Sequence, residues 1–174
     1  MILLERLFLA IDPGPEQSAF VLYDPEARAR VRMFAKLRNR ELLEKLPQHR
    51  IAMAKELGGF GSPVLAVEMI ASYGMAVGRE VFETCVWIGR FVQAWGGDHE
   101  LLYRRDVKLH LCGSMRARDA NVRQALLDRF GPGKEKAVGT KRAPGPLYGV
   151  HGDVWAALGV AVTYADRAQQ ARAA

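Results

Sequence analysis

Apolar and polar positions repeat with two different periods along the chain, and the changes of period mark out its elements. Residues 5 to 12 form an apolar run that ends on Asp12, and after a turn through Pro13, Gly14 and Pro15 a second run covers residues 17 to 23. The stretch "RARVRMFAK", residues 28 to 36, alternates basic and apolar side chains. The apolar runs predict two strands, the first of them buried, and the alternating stretch predicts a third, and their short connections suggest an antiparallel meander. Asn39 is placed to cap a helix through Leu46, Pro47 interrupts it or starts the next one, and a second helical stretch runs to Leu57 before Gly58 and Gly59. Residues 62 to 70, "SPVLAVEMI", read as another buried strand.

From residue 77 to Trp95 the apolar positions Val81, Cys85, Ile88, Val92 and Trp95 recur at helical spacing, and Phe82, Val86, Gly89 and Phe91 widen the stripe. "ELLYRR" predicts a short strand, "RDVKLHLCG" a short helix and "RDANVRQALLDRFG" a helix closed by Gly131. Residues 131 to 149 hold five glycines and three prolines and read as a mobile basic loop. A last helix, rich in alanine and valine, runs from about His151 to near Ala168. Strands followed by helices that alternate with further strands predict an α/β domain with a mixed sheet, and no linker divides the 174 residues.

Composition narrows the class. With 49% hydrophobic residues the chain can bury a core, which excludes disorder. The opening "MILLERLFLA" is too short and too charged for a signal peptide, no stretch is long enough to span a membrane, and two cysteines without a paired spacing suggest neither metal nor disulfide. These features predict a cytoplasmic protein. The net charge is +6, and its distribution matters more than its size. Between Arg104 and Arg142 eleven basic residues face four acidic ones, so this segment carries +7 and the remainder −1. A polyanion is the partner such a segment fits.

Three acids stand where a structural role is hard to supply. Asp12 follows "LFLAI", Glu68 follows "VLAV" and Asp153 opens the alanine-rich helix. A carboxylate at the end of a buried run needs a basic partner, backbone donors or a metal. Taken singly each has an ordinary reading: Asp12 as a turn residue before Pro-Gly, Glu68 as half of a salt bridge, Asp153 as a charge favoured at a helix start. Taken together, two strand ends and a helix start can converge on one point, and clustered carboxylates suit hard divalent cations.

At these residues the chain resembles a family. "LAIDPG", "LAVE" and "HGDVWAALGVAV" are similar to the three acidic motifs of the RuvC-like Holliday junction resolvases of phage and prophage type, within the ribonuclease H-like superfamily. "RRDVKLHLCGSMRARDANVRQALLDRFG" resembles the family's VK helix, glycine turn and second basic helix, so the likeness runs through nearly the whole chain. It implies a single nuclease domain over residues 1–174, built on a mixed five-stranded sheet with three antiparallel strands followed by parallel ones and flanked by helices. It further implies a Mg²⁺-dependent endodeoxyribonuclease, with Mn²⁺ able to substitute, in which Asp12, Glu68 and Asp153 bind metal and Lys108 completes the catalytic set. Two ions roughly 4 Å apart would then act on the phosphodiester, Asp12 bridging them while Glu68 and Asp153 each hold one. Lys108 and Arg118 match residues that touch phosphates near the cut. One departure is specific: the family usually carries an acid one helical turn after the position of Asp153, and here Ala156 stands there. Asp153, His151 or a water would have to fill that place.

Further basic and apolar residues bear on DNA binding and assembly. Arg104, Arg105, Lys108, Arg116 and Arg118 flank a glycine turn where they can line a phosphate groove, and Lys134, Lys136, Lys141 and Arg142 sit on the loop that would order on DNA. They fit a solvated helix face as well. Tyr73, in the glycine-containing loop after Glu68, is placed either to stack on an unpaired base, as the resemblance implies, or to pack at a helix start. Arg28, Arg30 and Arg32 read as a solvated strand edge. The helix over residues 77–95 has more apolar face than one sheet contact uses, which fits a homodimer interface or a fully buried helix. Branched DNA is the expected partner. Structured RNA as substrate and a non-catalytic DNA-binding relative are the competing expectations, whereas a two-domain ATPase or sugar kinase is excluded by length.

Overall fold

The computed structural model describes residues 7–27, 30–58 and 61–173. The apolar runs form strands β1 (Phe8–Asp12) and β2 (Gln17–Tyr23) and the alternating stretch forms β3 (Val31–Arg38), followed by α1 (Asn39–Glu56) and β4 (Val64–Met69). Then come α2 (Arg79–Trp95), β5 (His99–Tyr103), α3 (Arg104–Cys112), α4 (Asp119–Phe130), α5 (Lys134–Ala137) and α6 (Val154–Ala173). The sheet order is β3-β2-β1-β4-β5, with β1, β2 and β3 antiparallel and β4 and β5 parallel to β1. This is the mixed five-stranded sheet flanked by helices that the motif order implied.

Period-two alternation divides the sheet into two cores. Phe8, Ala10, Ala19, Val21, Val64 and Ala66 face α3, α4 and α6, and Leu9, Ile11, Phe20, Leu65 and Val67 face α1 and α2. Small residues let α6 lie close to its neighbours. A Cβ on Gly159 would stand 3.3 Å from Val107 Cγ1 and 3.5 Å from both Leu111 and Val122.

Several expectations change. Pro47 does not interrupt α1, which is continuous from Asn39 to Glu56; Pro47 lies on the solvent face, where the carbonyl deprived of its donor can be hydrated. Asn39 is the first helical residue and not the cap, and its buried side chain serves the β1–β2 turn instead. It donates to the Gly14 carbonyl at 2.8 Å and accepts from Ser18 Oγ at 2.7 Å. Gly14 is required there, because a Cβ would meet the Gln17 carbonyl oxygen at 2.5 Å. The basic segment 131–149 is not featureless loop. It contains the one-turn α5 and is anchored by Ala137 and Leu147, both fully buried, because apolar side chains hidden among its glycines and prolines find the core. Arg32 is not merely a solvated edge residue, since it pairs with Asp24 and Glu56. Residues 5 and 6 of the first expected strand, Arg28 and Gly59 lie outside the described residues. Among the described residues no helix is long and apolar enough to cross a membrane.

Candidate functional site

Register brings the first two acids together. β1 and β4 pair in parallel up to Ile11 and Val67, and Asp12 and Glu68 each follow that pair by one residue. Both continue the face of Ala10 and Ala66, so both point to the α6 side of the sheet. Asp153 is not in the first turn of α6 but directly precedes it, and its backbone carbonyl accepts the N–H groups of Ala156 and Ala157 at 3.0 and 3.2 Å. Its side chain stands exposed at the rim. A small cleft of ≈ 120 Å³ is lined by Asp12, Arg104, Asp119, Val122, Gly152, Asp153, Trp155 and Ala156.

Glu68 is buried and opens on a neighbouring cleft. Across the β4–β5 pair Met69 lies beside Tyr103, so Arg104, the next residue, emerges next to Glu68. Its Nη1 donates to both carboxylate oxygens of Glu68, at 3.2 and 3.0 Å, and its Nη2 lies 2.7 Å from Asp119 Oδ1. Lys108 Nζ, one turn further along α3, stands 3.5 Å from the same Asp119 oxygen. On the other side Lys36 Nζ pairs with Asp153 Oδ2 at 2.6 Å. Lys36 lies opposite Ala19, which lies opposite Asp12, so all three project from one row across the sheet.

The charges leave the two inner acids under pressure. Burial, then the nearby Glu68, pushes the Asp12 carboxyl up to about 7; Asp153 adds to the rise and Arg104 and Lys36 oppose it. Burial likewise raises Glu68 above the usual carboxylate range, against the pull of Arg104. Asp119 is held low, chiefly by its hydrogen bond from Arg104. Two desolvated carboxylates side by side have the donor chemistry that suits a hard divalent cation. Even so, among the described residues no group of three or more His, Cys, Asp or Glu side chains is arranged to hold a metal ion. Glu68 is taken up by Arg104 and Asp153 by Lys36. Ala156 reaches the cleft without a donor, and His151 does not line it, its Nδ1 lying 2.7 Å from the Gly149 carbonyl.

The basic candidates divide into two groups. Arg104, Arg105 and Lys108 line a cleft of ≈ 330 Å³ together with Glu68, Tyr73, Met75 and Met115. Tyr73 is exposed, has a left-handed backbone (φ 48°) and lies under the Arg105 guanidinium at 5.1 Å. Arg116 and Arg118 are exposed in the turn into α4, where Asn121 Oδ1 accepts the Arg118 N–H at 2.9 Å. Lys134, Lys136, Lys141 and Arg142 are all exposed on the α5 segment and line neither of these clefts. Two residues of the site went unread in the sequence, Lys36 and Asp119. Asp119 lies in the first turn of α4, where an acid has an ordinary use, and Lys36 is visible only once β3 is set in register with β2 and β1.

The chain matches no family model and no curated protein. Among solved structures it is similar to RuvC of Thermus thermophilus, at 16% identity over 95% of this chain and 96% of that one, with a TM-score of 0.65. It is also similar to T. thermophilus RuvC in complex with a Holliday junction substrate, at 17% identity over the same shares, with a TM-score of 0.55. The fold of this chain is RuvC-like.

Proposed function

We propose that this chain is a metal-dependent endonuclease that hydrolyses phosphodiesters in branched DNA such as four-way junctions, acting as one nuclease domain within a homodimer. The observation that carries this reading is the meeting of Asp12 and Glu68 at adjacent strand ends of a RuvC-like sheet, beside a cleft bearing Arg104, Arg105, Lys108 and Tyr73. One similar structure, of T. thermophilus RuvC, holds a Holliday junction substrate, which supports branched DNA as the partner class.

Asp12, Glu68 and Asp153 would hold Mg²⁺, or Mn²⁺ in its place. When bound, such ions supply charge that activates water and stabilises the leaving oxygen. Asp12 must shed its proton to serve, so its raised pKa ties function to pH. Lys108, beside Arg104, offers positive charge where negative charge grows on phosphate. Tyr73 presents an exposed ring to an unpaired base, and Arg105 leaves that ring for a phosphate. Arg116, Arg118, Lys134, Lys136, Lys141 and Arg142 extend the phosphate-binding surface. On α2, Phe82 and Val86 stand one turn apart at 63% and 60% exposure, the apolar face left over once Ile88, Phe91 and Trp95 are buried. That face is the proposed dimer contact, and Phe82→Glu should shift the protein to monomer in analytical ultracentrifugation.

The deciding assay incubates the wild type and Asp12→Asn with a four-way junction, a linear duplex and a structured RNA, in Mg²⁺ or Mn²⁺. Paired nicks in the junction that vanish in Asp12→Asn are expected. Cleavage of the RNA alone would move the substrate class to RNA. Ala156 and the Arg104–Glu68 pair favour one rival, a relative that binds branched DNA without cutting it, and binding without nicks in either metal would establish that rival.

A further inference from the structure

Arg104 was expected to touch phosphate, yet it sits between two carboxylates. Among the described residues it is the one side chain common to the acidic cleft and the basic cleft, lining the first with Asp12 and the second with Glu68. Its planar fork reaches Glu68 with one nitrogen and Asp119 with the other, at 3.0 and 2.7 Å. The two acceptors differ in a way that matters. Glu68 has only 9% of its side chain exposed, while Asp119 has 73% exposed, so Arg104 bridges a buried acceptor and a solvated one.

We infer that Arg104 is a resident counter-ion of the acidic site, which a divalent cation must displace from Glu68, and that Asp119 is the acceptor that keeps the guanidinium when it withdraws. Arg104 thereby sets the metal affinity of the free protein without itself binding metal. The physical basis is competition: a guanidinium on both oxygens of a buried carboxylate occupies the lone pairs a cation needs, and its charge repels that cation at short range. Asp119 acts in the opposite sense, because a second acceptor lowers the cost of leaving Glu68. This inference rests on the reading of Asp12 and Glu68 as metal ligands.

Binding of Mn²⁺ to the DNA-free protein, followed by the loss of the free-ion signal in electron paramagnetic resonance, tests it. Arg104→Gln should bind Mn²⁺ roughly tenfold more tightly than the wild type, as expected when a competing cation is removed from a largely desolvated site. Arg104→Lys, which keeps a charge but cannot fork between two acids, should fall between them and covers the case in which the glutamine variant does not fold. Asp119→Asn should weaken binding, and the double variant Arg104→Gln/Asp119→Asn should match Arg104→Gln alone, as a role exerted through Arg104 requires. Unchanged or weaker Mn²⁺ binding in both Arg104 variants overturns the inference. So does a double variant that loses the gain, which would make Asp119 a ligand. If Mn²⁺ binding is absent throughout, or is no weaker in Asp12→Asn, the metal-site reading itself falls and takes this inference with it. Binding that requires Asp12 but ignores Arg104 sinks the counter-ion alone.

Discussion

Asp12 carries a carboxyl that burial and the neighbouring Glu68 push up to about 7. Its folded-state pKa of about 7 lies above the ordinary 3.8, so between those values the folded protein holds a proton that the unfolded chain releases. Its contribution to stability is therefore greatest below about pH 4 and is lost as pH rises through 7. Without divalent ions, the melting temperature of Asp12→Asn should exceed that of the wild type at pH 8 by more than it does at pH 5. An equal difference at both values would remove the buried charge from the account. Divalent-ion affinity should run the other way and rise from pH 5.5 to 7.5, because a cation competes with that proton. Ala156 is the second residue-scale lever. It lines the cleft with Asp12 and Asp153, so Ala156→Asp should tighten Mn²⁺ binding by roughly tenfold through added ligand charge, read by isothermal titration calorimetry. At this scale Asp12 and Glu68 were legible because an acid ending an apolar run is chemically conspicuous. Lys36 and Asp119 were not, because a lysine on a strand and an aspartate at a helix start have ordinary uses, and only their neighbours make them part of a site.

At the scale of elements, α6 is the scaffold on which the basic helices rest. At Gly159 both α3 and α4 lie close, with Val107, Leu111 and Val122 within 3.5 Å of a notional Cβ. Gly159→Leu forces extra carbons into that contact and should cost about 1–3 kcal/mol in chemical denaturation. It should also reduce junction nicking at temperatures where the variant remains folded, since α3 carries Arg104 and Lys108. A variant with wild-type stability would mean that the helices part easily. The helical periodicity of α2 was plain in the sequence, and α3 and α4 were read as short helices; the structure closes α2 and α3 on Gly96 and Gly113, both left-handed. Two local signals misled. Pro47 usually ends a helix, but it fell on a hydrated face; Asn39 usually caps one, but a buried turn claimed its side chain. In both cases tertiary surroundings outweighed a local preference of about 1 to 3 kcal/mol.

For the whole molecule, the concentration of positive charge between Arg104 and Arg142 governs association with a polyanion. Lys134 and Lys136 are exposed on α5 and line neither cleft, so replacing both with alanine should weaken junction binding without altering Mn²⁺ affinity. The slope of log K against log salt, measured by fluorescence anisotropy, should become shallower by about 2. An unchanged slope would place DNA elsewhere on the surface. By itself the sequence determined the class of the fold, the order of its strands and longer helices, the charged segment and the two inner acids, because apolar periodicity and the cost of burying a carboxylate are properties of neighbouring residues along the chain. Only the tertiary structure decided that Arg104 faces Glu68 and Asp119, that Lys36 meets Asp153, and that the glycine-rich segment anchors itself through Ala137 and Leu147. Those pairings join residues far apart in sequence, and they are set by strand register and helix packing, which no local pattern encodes.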